Sequence, residues 1–462
     1  MTAWYDKAIF YHMYPLGMTG APFANPYPAS DETADGTWDV SADSRMDELM
    51  QWIPYLESLH ISALYIGPLF ESSTHGYDTR DFRLIDRRLG TNVSFRSFVD
   101  CCHEHGIRVV VDGVFNHTGR EFFAFRDLQA HRDQSPYTRW YRNVNFDWGS
   151  PLGDSFGYES WHGIWELPCL NHRNPEVRDY LLDTVRFWVQ EFDIDGIRLD
   201  CAGDLSFEFI QELRRLANEI KPEFWLMGEV IHGEYARWVN PQMLHSVTNY
   251  EMHKSIYSAH NDHNYFELAH NVRRLEVVGR ELYTFVDNHD EDRIASKLLN
   301  PAHLAPLYTL LFTLPGIPSI YYGSEFGIEG KKEWGSDWPL RPCLELDKFR
   351  DDLTTNPVTS VYAALGRLKA EYPALSWGEV KELQLTTQCY AFARVLDGKA
   401  LVAVFNNGDS PAEMEFQLPV EANAATDLLA DTVGAENVMT SLASGRMKVQ
   451  LPSNYATVLR LD

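Results

Sequence analysis

The sequence predicts an α/β protein: a (β/α)8 barrel with a small subdomain inserted after the third strand and a C-terminal antiparallel β-sandwich. Eight short apolar runs, rich in aromatic and β-branched residues, alternate with longer amphipathic stretches up to about residue 374. Such alternation is typical of a parallel sheet with crossover helices, most simply closed as a barrel. From about residue 375 the pattern changes to strand-like alternation with turn signals, which predicts an appended all-β domain.

The eight strand candidates are 8–15, 63–69, 107–117, 195–200, 224–230, 246–250, 282–290 and 319–325. Between them, 178–192 and 205–220 repeat apolar residues at steps of three and four, as an amphipathic helix does. An open doubly wound sheet is the competing architecture. No G-x-G-x-x-G follows the first strand candidate, which favours the barrel.

Residues 118–165 interrupt the alternation with a segment rich in Gly, Ser, Asn and aromatic residues. A connection of this length is usually functional, so we interpret it as an inserted subdomain. The predicted domains are therefore a barrel over 1–117 and 166–374, the insertion over 118–165, and the all-β domain over 375–462.

The charge balance limits the classes of partner. The chain of 462 residues has 40 Lys plus Arg against 66 Asp plus Glu, a formal net charge of −26. Because this excess repels phosphate backbones and anionic lipids, we expect neither nucleic-acid nor membrane partners. The first fifteen residues have no basic flank followed by a long apolar stretch, so a cytoplasmic location is the default expectation. The six cysteines show neither metal-type spacing nor a disulfide framework.

Acidic and imidazole side chains mark the ends of four strand candidates. These ends carry Asn116 and His117, Asp200, Glu229, and His289 and Asp290. In a barrel the C-terminal ends of the strands meet at one mouth, where barrel enzymes carry their chemistry. One acid at such a position is as readily a helix N-cap, but the same coincidence at four strand ends is improbable.

Two carboxyl groups at one mouth suit glycoside hydrolysis, which needs one protonated acid and one carboxylate. Clustered carboxylates raise each other's pKa, so one stays protonated near neutrality. Arg198 lies two residues before Asp200, on the same face if the run is a strand. We expect the guanidinium to keep Asp200 ionised. Taken alone, the pair also fits a salt bridge on a solvated strand.

A metal-dependent hydrolase is a second interpretation of the same acids and histidines. Its ligands would come from Asp112, His117, Glu229, His289 and Asp290. No His-x-His or H-E-x-x-H spacing supports it.

Together these segments resemble the α-amylase family, glycoside hydrolase family 13. Four motifs carry the resemblance: Asp112 with Asn116 and His117; Gly196, Arg198 and Asp200; Gly228 with Glu229; and Phe285 to Asp290 with Arg293 beyond. The run "LPCLN" (167–171) resembles the neopullulanase, cyclomaltodextrinase and maltogenic amylase group, with Cys169 where that group has lysine. The N-terminal domain of that group is not expected, since the first strand begins near residue 8.

The resemblance implies a role for each site residue. Asp200 would be the nucleophile, Glu229 the acid and base, and Asp290 the carboxylate that binds sugar hydroxyls. Retention at the anomeric carbon would follow. His117 and His289 would donate hydrogen bonds to the same sugar.

The resemblance also implies further substrate-binding residues. Arg198 belongs to this set as the partner of the nucleophile. In "HGYD", Tyr77 would be the platform for the sugar being cleaved, or else a packed core residue. In "GSDWPLRP", Asp337 and Arg341 would hold the next sugar on the non-reducing side, or else form a surface ion pair.

No cofactor is required by this chemistry. Calcium stays open, with Asn116 as its candidate ligand, although "CAGDL" after the nucleophile lacks the Lys-His that accompanies one family calcium site. The oligomeric state is also open.

The predicted function is therefore a retaining hydrolase of α-1,4 links in starch-derived oligosaccharides, maltodextrins or cyclodextrins. A transglycosylase of the same family is the first alternative, because only competition between water and sugar separates the two. A non-catalytic glycan-binding barrel is the alternative from another class.

Overall fold

The computed structural model describes residues 3–29 and 45–462. The remaining positions of the predicted barrel segment lie outside the described residues. Within these ranges the strands before residue 375 are β1 (Phe10–Met13), β2 (Ala63–Ile66), β3 (Phe70–Ser72), β4 (Thr79–Ile85), β5 (Arg108–Gly113), β6 (Ser160–Trp161), β7 (Ile164–Pro168), β8 (Gly196–Leu199), β9 (Trp225–Gly228), β10 (Ser246–Val247), β11 (Tyr283–Thr284) and β12 (Ile317–Tyr321).

Eight further strands follow in the C-terminal segment: β13 (Glu379–Leu385), β14 (Cys389–Leu396), β15 (Lys399–Asn406), β16 (Ala412–Gln417), β17 (Ala425–Asp427), β18 (Met439–Ala443), β19 (Arg446–Leu451) and β20 (Tyr455–Leu461). The α-helices within the described ranges are α1 (Pro15–Met18), α2 (Arg45–Met50), α3 (Ile53–Ser58), α4 (Asn92–Glu104), α5 (Phe123–His131), α6 (Pro175–Phe192), α7 (Phe207–Ile220), α8 (Tyr250–Asn261), α9 (Phe266–Arg274), α10 (Ile294–Lys297), α11 (Leu304–Thr313), α12 (Asp352–Thr355), α13 (Pro357–Glu371) and α14 (Ala374–Trp377).

Each of the eight strand candidates overlaps an observed strand, and these strands form one sheet in the order β10-β9-β8-β5-β2-β1-β12-β11. In this sheet β5 pairs with β8, β8 with β9, and β1 with β12, each in parallel. The predicted (β/α)8 fold class is confirmed. The antiparallel hairpin of β3 and β4 was not predicted; it lies within the connection after β2.

Contact density divides the chain into two compact units, of which one comprises residues 13–54 and 64–247. It contains β2, β5, β8, β9 and β10 of the parallel sheet. Its longest helix, α6, begins with Asn174 as N-cap, whose side chain accepts from the backbone N–H of Glu176. Trp188 on the buried face of α6 stacks on Phe70 at 4.2 Å and donates its indole N–H to the carbonyl of Phe82 at 2.6 Å.

The other unit comprises residues 1–12, 55–63 and 248–462. It contains β1, β12 and β11 together with the C-terminal strands. These strands form a five-stranded sheet, β13-β14-β15-β20-β17, and a three-stranded sheet, β16-β19-β18. Both sheets are antiparallel, and their inward residues, such as Val402 and Phe416, share one apolar core. The predicted C-terminal all-β region is thus confirmed as antiparallel, while the exact domain boundaries stay predictions.

The predicted insertion contains α5, β6 and the start of β7, with two 3-10 helices at Arg132–Gln134 and Pro136–Trp140. Its aromatic residues pack on one another: Phe125 contacts Tyr141 and Tyr158 with ring centroids 5.1 and 5.0 Å away. Among the described residues, no helix is both long and apolar enough to cross a bilayer.

Candidate active site

The register of β5, β8 and β9 places the two principal carboxyl groups side by side. Asp112 on β5 is level with Arg198 on β8, and Leu199 is level with Gly228 on β9. Asp200 and Glu229 each follow directly after these last two residues. Their backbone N–H groups continue the ladder, because Asp200 donates to the carbonyl of Gly113 at 3.1 Å and Glu229 to that of Leu199 at 2.9 Å. Both carboxyl groups therefore leave the sheet at its C-terminal edge.

Arg198 is the centre of this group of acids. Its Nη1 donates to Asp200 Oδ1 at 2.8 Å and to Asp112 Oδ1 at 2.9 Å, and its Nη2 lies 2.9 Å from Glu229 Oε2. The side chain of Arg198 is only 3% exposed. The surface-pair interpretation is therefore wrong, since a buried guanidinium with three carboxyl partners is part of a site.

The expectation that Arg198 distinguishes Asp200 from its neighbours is also wrong. The guanidinium contacts Glu229 as closely as it contacts Asp200, so it supplies no asymmetry between them. Burial raises the pKa of Asp200 to about 8; Arg198 opposes this shift, while the charges of Glu229 and Asp112 add to it. Asp200 therefore holds its proton closer to neutrality than a solvated aspartate does. The pKa of Arg198 itself is raised by its acidic neighbours, Asp112 first, against the effect of burial.

Asp112 and Tyr65 complete the support of Arg198. The Tyr65 hydroxyl donates to Asp112 Oδ2 at 2.8 Å, which holds the carboxylate level with the guanidinium. Gly67, two residues after Tyr65 on β2, leaves the space that Asp112 occupies, since a Cβ there would lie 2.5 Å from the Asp112 Cβ. Sequence reasoning named Asp112 only as a motif residue and as a ligand of the metal-dependent alternative, and it missed Tyr65. A polar hydroxyl in the apolar run "ALYIGPL" was the available signal.

Cys201 contacts both carboxyl groups, which the sequence did not indicate. Its backbone takes the left-handed conformation, with φ 46°, and its N–H donates to Glu229 Oε2 at 3.0 Å. Ligand-type atoms of Asp200, Cys201 and Glu229 lie within 4.8 Å of one another. Burial, followed by the nearby charges of Asp200 and Glu229, raises the pKa of the Cys201 thiol well above its usual range.

This trio is the one group of three metal-type side chains found among the described residues. It differs from the set that a metal-dependent hydrolase was expected to use, and it contains no histidine. Both of its carboxylates are engaged by Arg198, whose positive charge opposes a metal ion in the same place.

His117 and Tyr77 belong to the same unit as Asp200. The Asn116 side-chain amide donates to His117 Nδ1 at 3.2 Å, which leaves the proton of the neutral ring on Nε2. His117 Nε2 is buried and has no hydrogen-bond partner within the described chain. Burial, with the charge of His75, lowers the pKa of His117 to about 3, so the ring is a neutral donor at pH 7.

His117 and Tyr77 have different neighbours. Trp161 lies beside His117, with ring centroids 5.7 Å apart, and its indole N–H donates to Asp204 Oδ2 at 3.1 Å. Tyr77 is partly buried, and its backbone N–H donates to His75 Nδ1 at 3.2 Å. The phenol of Tyr77 acts electrostatically on Arg198, which places it near the acids.

Asp290 lies in the other unit, where His289, Arg341 and Asp337 are its neighbours. Asp290 Oδ1 accepts from Arg341 Nη2 at 2.9 Å, and Oδ2 lies 3.0 Å from His289 Nε2. Arg341 also donates from Nε to the backbone carbonyl of His289 at 3.2 Å. Asp337 is 3.7 Å from Arg341 and 3.2 Å from Lys332. The predicted Asp337–Arg341 pair exists, but Arg341 binds Asp290 more closely.

The surroundings of Asn116 do not fit a calcium ion. Calcium needs six to eight oxygen ligands, and the amide oxygen is the atom that Asn116 would offer. That oxygen already accepts from Arg142 Nη2 at 3.4 Å. A guanidinium at this distance repels a divalent cation from the same oxygen.

Comparison with known proteins places these features in a family. The family model described as "Alpha amylase, catalytic domain" matches residues 27–382. The cyclomaltodextrinase of Thermoanaerobacter pseudethanolicus is 30% identical over 90% of this chain and 73% of its own length. Neopullulanase 2 of Thermoactinomyces vulgaris is 31% identical over 90% of this chain and 72% of its own length.

Solved structures agree. The native debranching enzyme of Nostoc punctiforme is 27% identical, with a TM-score of 0.82 over 100% of both chains. The resemblance carried by the four motifs is thereby confirmed. The chain belongs to the α-amylase family and is a glycoside hydrolase that acts on α-glucans.

Proposed function

We propose that the protein hydrolyses α-1,4-glucosidic bonds in maltodextrins, cyclodextrins and related oligosaccharides with retention at the anomeric carbon. The observation that carries this proposal is the proximity of the two carboxyl groups: an oxygen of Asp200 and one of Glu229 lie within 4.8 Å. Retaining glycosidases hold their two carboxyl groups about 5–5.5 Å apart, whereas inverting enzymes leave about 6.5–9.5 Å for a water molecule.

In the proposed first step, Asp200 attacks the anomeric carbon while Glu229 donates its proton to the leaving glycosidic oxygen. The bond from the anomeric carbon to that oxygen breaks as the bond to the Asp200 carboxylate forms. In the second step the Glu229 carboxylate takes a proton from water, the water oxygen attacks the same carbon, and Asp200 leaves.

The neighbouring groups receive supporting roles. Neutral His117 presents its unpartnered Nε2–H to a sugar hydroxyl, because a buried donor without a partner gains most from a ligand acceptor. Arg198 fixes both carboxyl groups, and Tyr77 offers a ring face to the sugar. For Asp290 and His289 we propose sugar hydroxyls as ligands, and for Asp337 and Arg341 the next sugar. These assignments rest on the motifs.

The test combines product stereochemistry with two variants. Proton NMR of maltoheptaose digestion is expected to show the α-anomer of the new reducing end first, before mutarotation. Asp200→Asn and Glu229→Gln are expected to lower kcat about 10³-fold or more with the fold intact by circular dichroism. The exposed Asp183→Asn is the matched control. Initial formation of the β-anomer, or near-full activity of either variant, would refute the proposal.

Cleavage of α-1,6 links is a second candidate, because one relative over the whole chain is named a debranching enzyme and another a neopullulanase. A panel of starch, pullulan, cyclodextrin and maltotriose, with products identified by chromatography, separates the two linkages. Products longer than the substrate would instead identify transfer to sugar. Intact oligosaccharide after incubation with folded protein would favour a non-catalytic glycan-binding barrel.

A further inference from the structure

The Arg142 side chain contacts oxygen atoms from four separate segments of the chain. Its Nε donates to the Leu170 carbonyl at 2.9 Å, and its Nη1 to Glu159 Oε1 at 3.4 Å. Its Nη2 donates to Asn116 Oδ1 at 3.4 Å and to the Asp204 carbonyl at 3.5 Å. The four oxygens come from the end of β5, the inserted segment, the residues after β7, and the turn that follows the proposed nucleophile.

The backbone of Arg142 is fixed at the same place. Its N–H donates to the Cys169 carbonyl at 2.9 Å, and its own carbonyl accepts from the N–H of Glu159 at 3.0 Å. The side chain is 28% exposed, so the guanidinium is partly shielded from solvent. The guanidinium is a planar fork of five donors that carries a permanent charge.

Two carbonyls, one amide oxygen and one carboxylate oxygen form the kind of hard oxygen set that calcium prefers. Here that set surrounds a guanidinium: the Leu170 carbonyl accepts at 2.9 Å, and the other three oxygens lie at 3.4 to 3.5 Å, the long end of hydrogen-bond contact. All four distances exceed the distance of about 2.3–2.6 Å of calcium–oxygen ligation. A divalent cation cannot share these oxygens with a fixed positive charge at contact distance.

We propose that the guanidinium of Arg142 replaces a metal ion and is a positioning residue for the active site, which therefore needs no calcium. Two of its oxygen partners lead directly to site residues. Asn116 precedes His117 and donates to its Nδ1, and Asp204 ends the turn that begins at Cys201, whose N–H holds Glu229. One side chain thus ties the inserted segment to both the sugar-binding histidine and the acid.

The experiment compares the full-length protein with Arg142→Ala and Arg142→Lys. For the unmodified protein, melting temperature and kcat are expected to be unchanged by EDTA or by added CaCl2, and titration calorimetry should detect no calcium binding. For Arg142→Ala, the melting temperature should fall by several degrees and kcat severalfold. Both should recover in part on adding CaCl2 or tens of millimolar guanidinium, because either cation can occupy the vacated oxygens.

Arg142→Lys keeps the positive charge but loses the planar guanidinium. Its melting temperature and kcat should lie between those of the unmodified protein and those of Arg142→Ala, and neither should respond to calcium. Arg139→Ala removes an exposed guanidinium from the same segment and should behave as the unmodified protein. If Arg142→Ala fails to fold, the proposal is still tested by Arg142→Lys and by the EDTA titration of the unmodified protein. If the melting temperature of the unmodified protein fell in EDTA and recovered on adding calcium, the proposal would be overturned. An Arg142→Ala protein that behaves as the unmodified one, or that neither cation rescues, would also overturn it.

The melting and calcium-binding measurements do not depend on the proposed retaining mechanism. Only the kcat measurement rests on the proposed function. A protein that is inactive on every glucan, yet shows the expected calcium response in Arg142→Ala, would separate the failure of one proposal from the other.

Discussion

The backbone N–H of Cys201 donates to the Glu229 carboxylate at 3.0 Å, so the residue after the proposed nucleophile orients the proposed acid. The left-handed turn at Cys201 makes this possible, because it directs the N–H back across the strand end. Any change to this turn is therefore expected to alter both carboxyl groups together.

The first prediction concerns pH. The pair formed by Asp200 and Glu229 is active with one proton, and burial raises the pKa of Asp200 to about 8. We expect kcat/KM on maltotriose to fall above about pH 8, as the last proton leaves the free enzyme. A plateau that extends to pH 10 would contradict the shared-proton site.

The second prediction concerns stability. A carboxyl whose pKa is raised on folding binds its proton more tightly in the native state, so it lowers the free energy of unfolding as pH rises from about 4 to 8. Asp200→Asn removes this loss. Its melting temperature should exceed that of the unmodified protein by several degrees at pH 8, and by less at pH 5. The exposed Asp183→Asn should show no such difference.

The third prediction concerns the Cys201 thiol. An organomercurial on this sulfur would fill the space beside Asp200 and Glu229, so it should abolish activity, and maltoheptaose should protect. Iodoacetamide at pH 7 should act slowly, because burial raises the pKa of the thiol and the thiolate is the nucleophile. Cys201→Ser should resist the mercurial, while substitution of the exposed Cys343 should give no protection. Equal inactivation of Cys201→Ser would disprove the assignment.

The fourth prediction concerns Lys369 on α13. Its Nζ donates to the carbonyls of Gly316 and Leu375, and burial, with Arg394 nearby, lowers its pKa to about 7. Since the unfolded chain holds this proton up to about pH 10.4, the free energy of unfolding should rise between pH 7 and 10. Lys369→Met should flatten this rise in denaturant titrations. The exposed Lys348→Met should leave it unchanged.

Sequence patterns predicted the features of the fold and site that depend on strand periodicity and motif spacing. Asp200 and Glu229 were predictable because each directly follows an apolar strand, and parallel strands present their ends along one edge. The partners of Arg198 were not predictable. Asp112 lies level with Arg198 because of the register between β5 and β8, and no local sequence signal sets that register. For the same reason the asymmetry expected from Arg198 was wrong.

Contacts across long sequence separations account for the other differences. Arg142 lies in the inserted segment and contacts Asn116 and Asp204, which lie outside it. The backbone around Arg142 is irregular, so no periodicity in the sequence indicates these contacts. Asn116 was left open as a calcium ligand on the family resemblance. Arg341 was expected to hold a sugar together with Asp337, or else to pair with it; in the folded chain it lies closer to Asp290 than to Asp337.

Three carboxyl groups share one guanidinium at the end of β8. Once the Asp200 proton is lost, this place carries an excess of negative charge, and the burial of Asp112, Arg198 and Asp200 limits its screening by solvent. A sugar mimic with a protonated ring nitrogen would meet two carboxylates at short range. Its affinity should rise with pH until its own amine loses its proton, so the enzyme's selectivity for cationic inhibitors follows from the arrangement around Arg198.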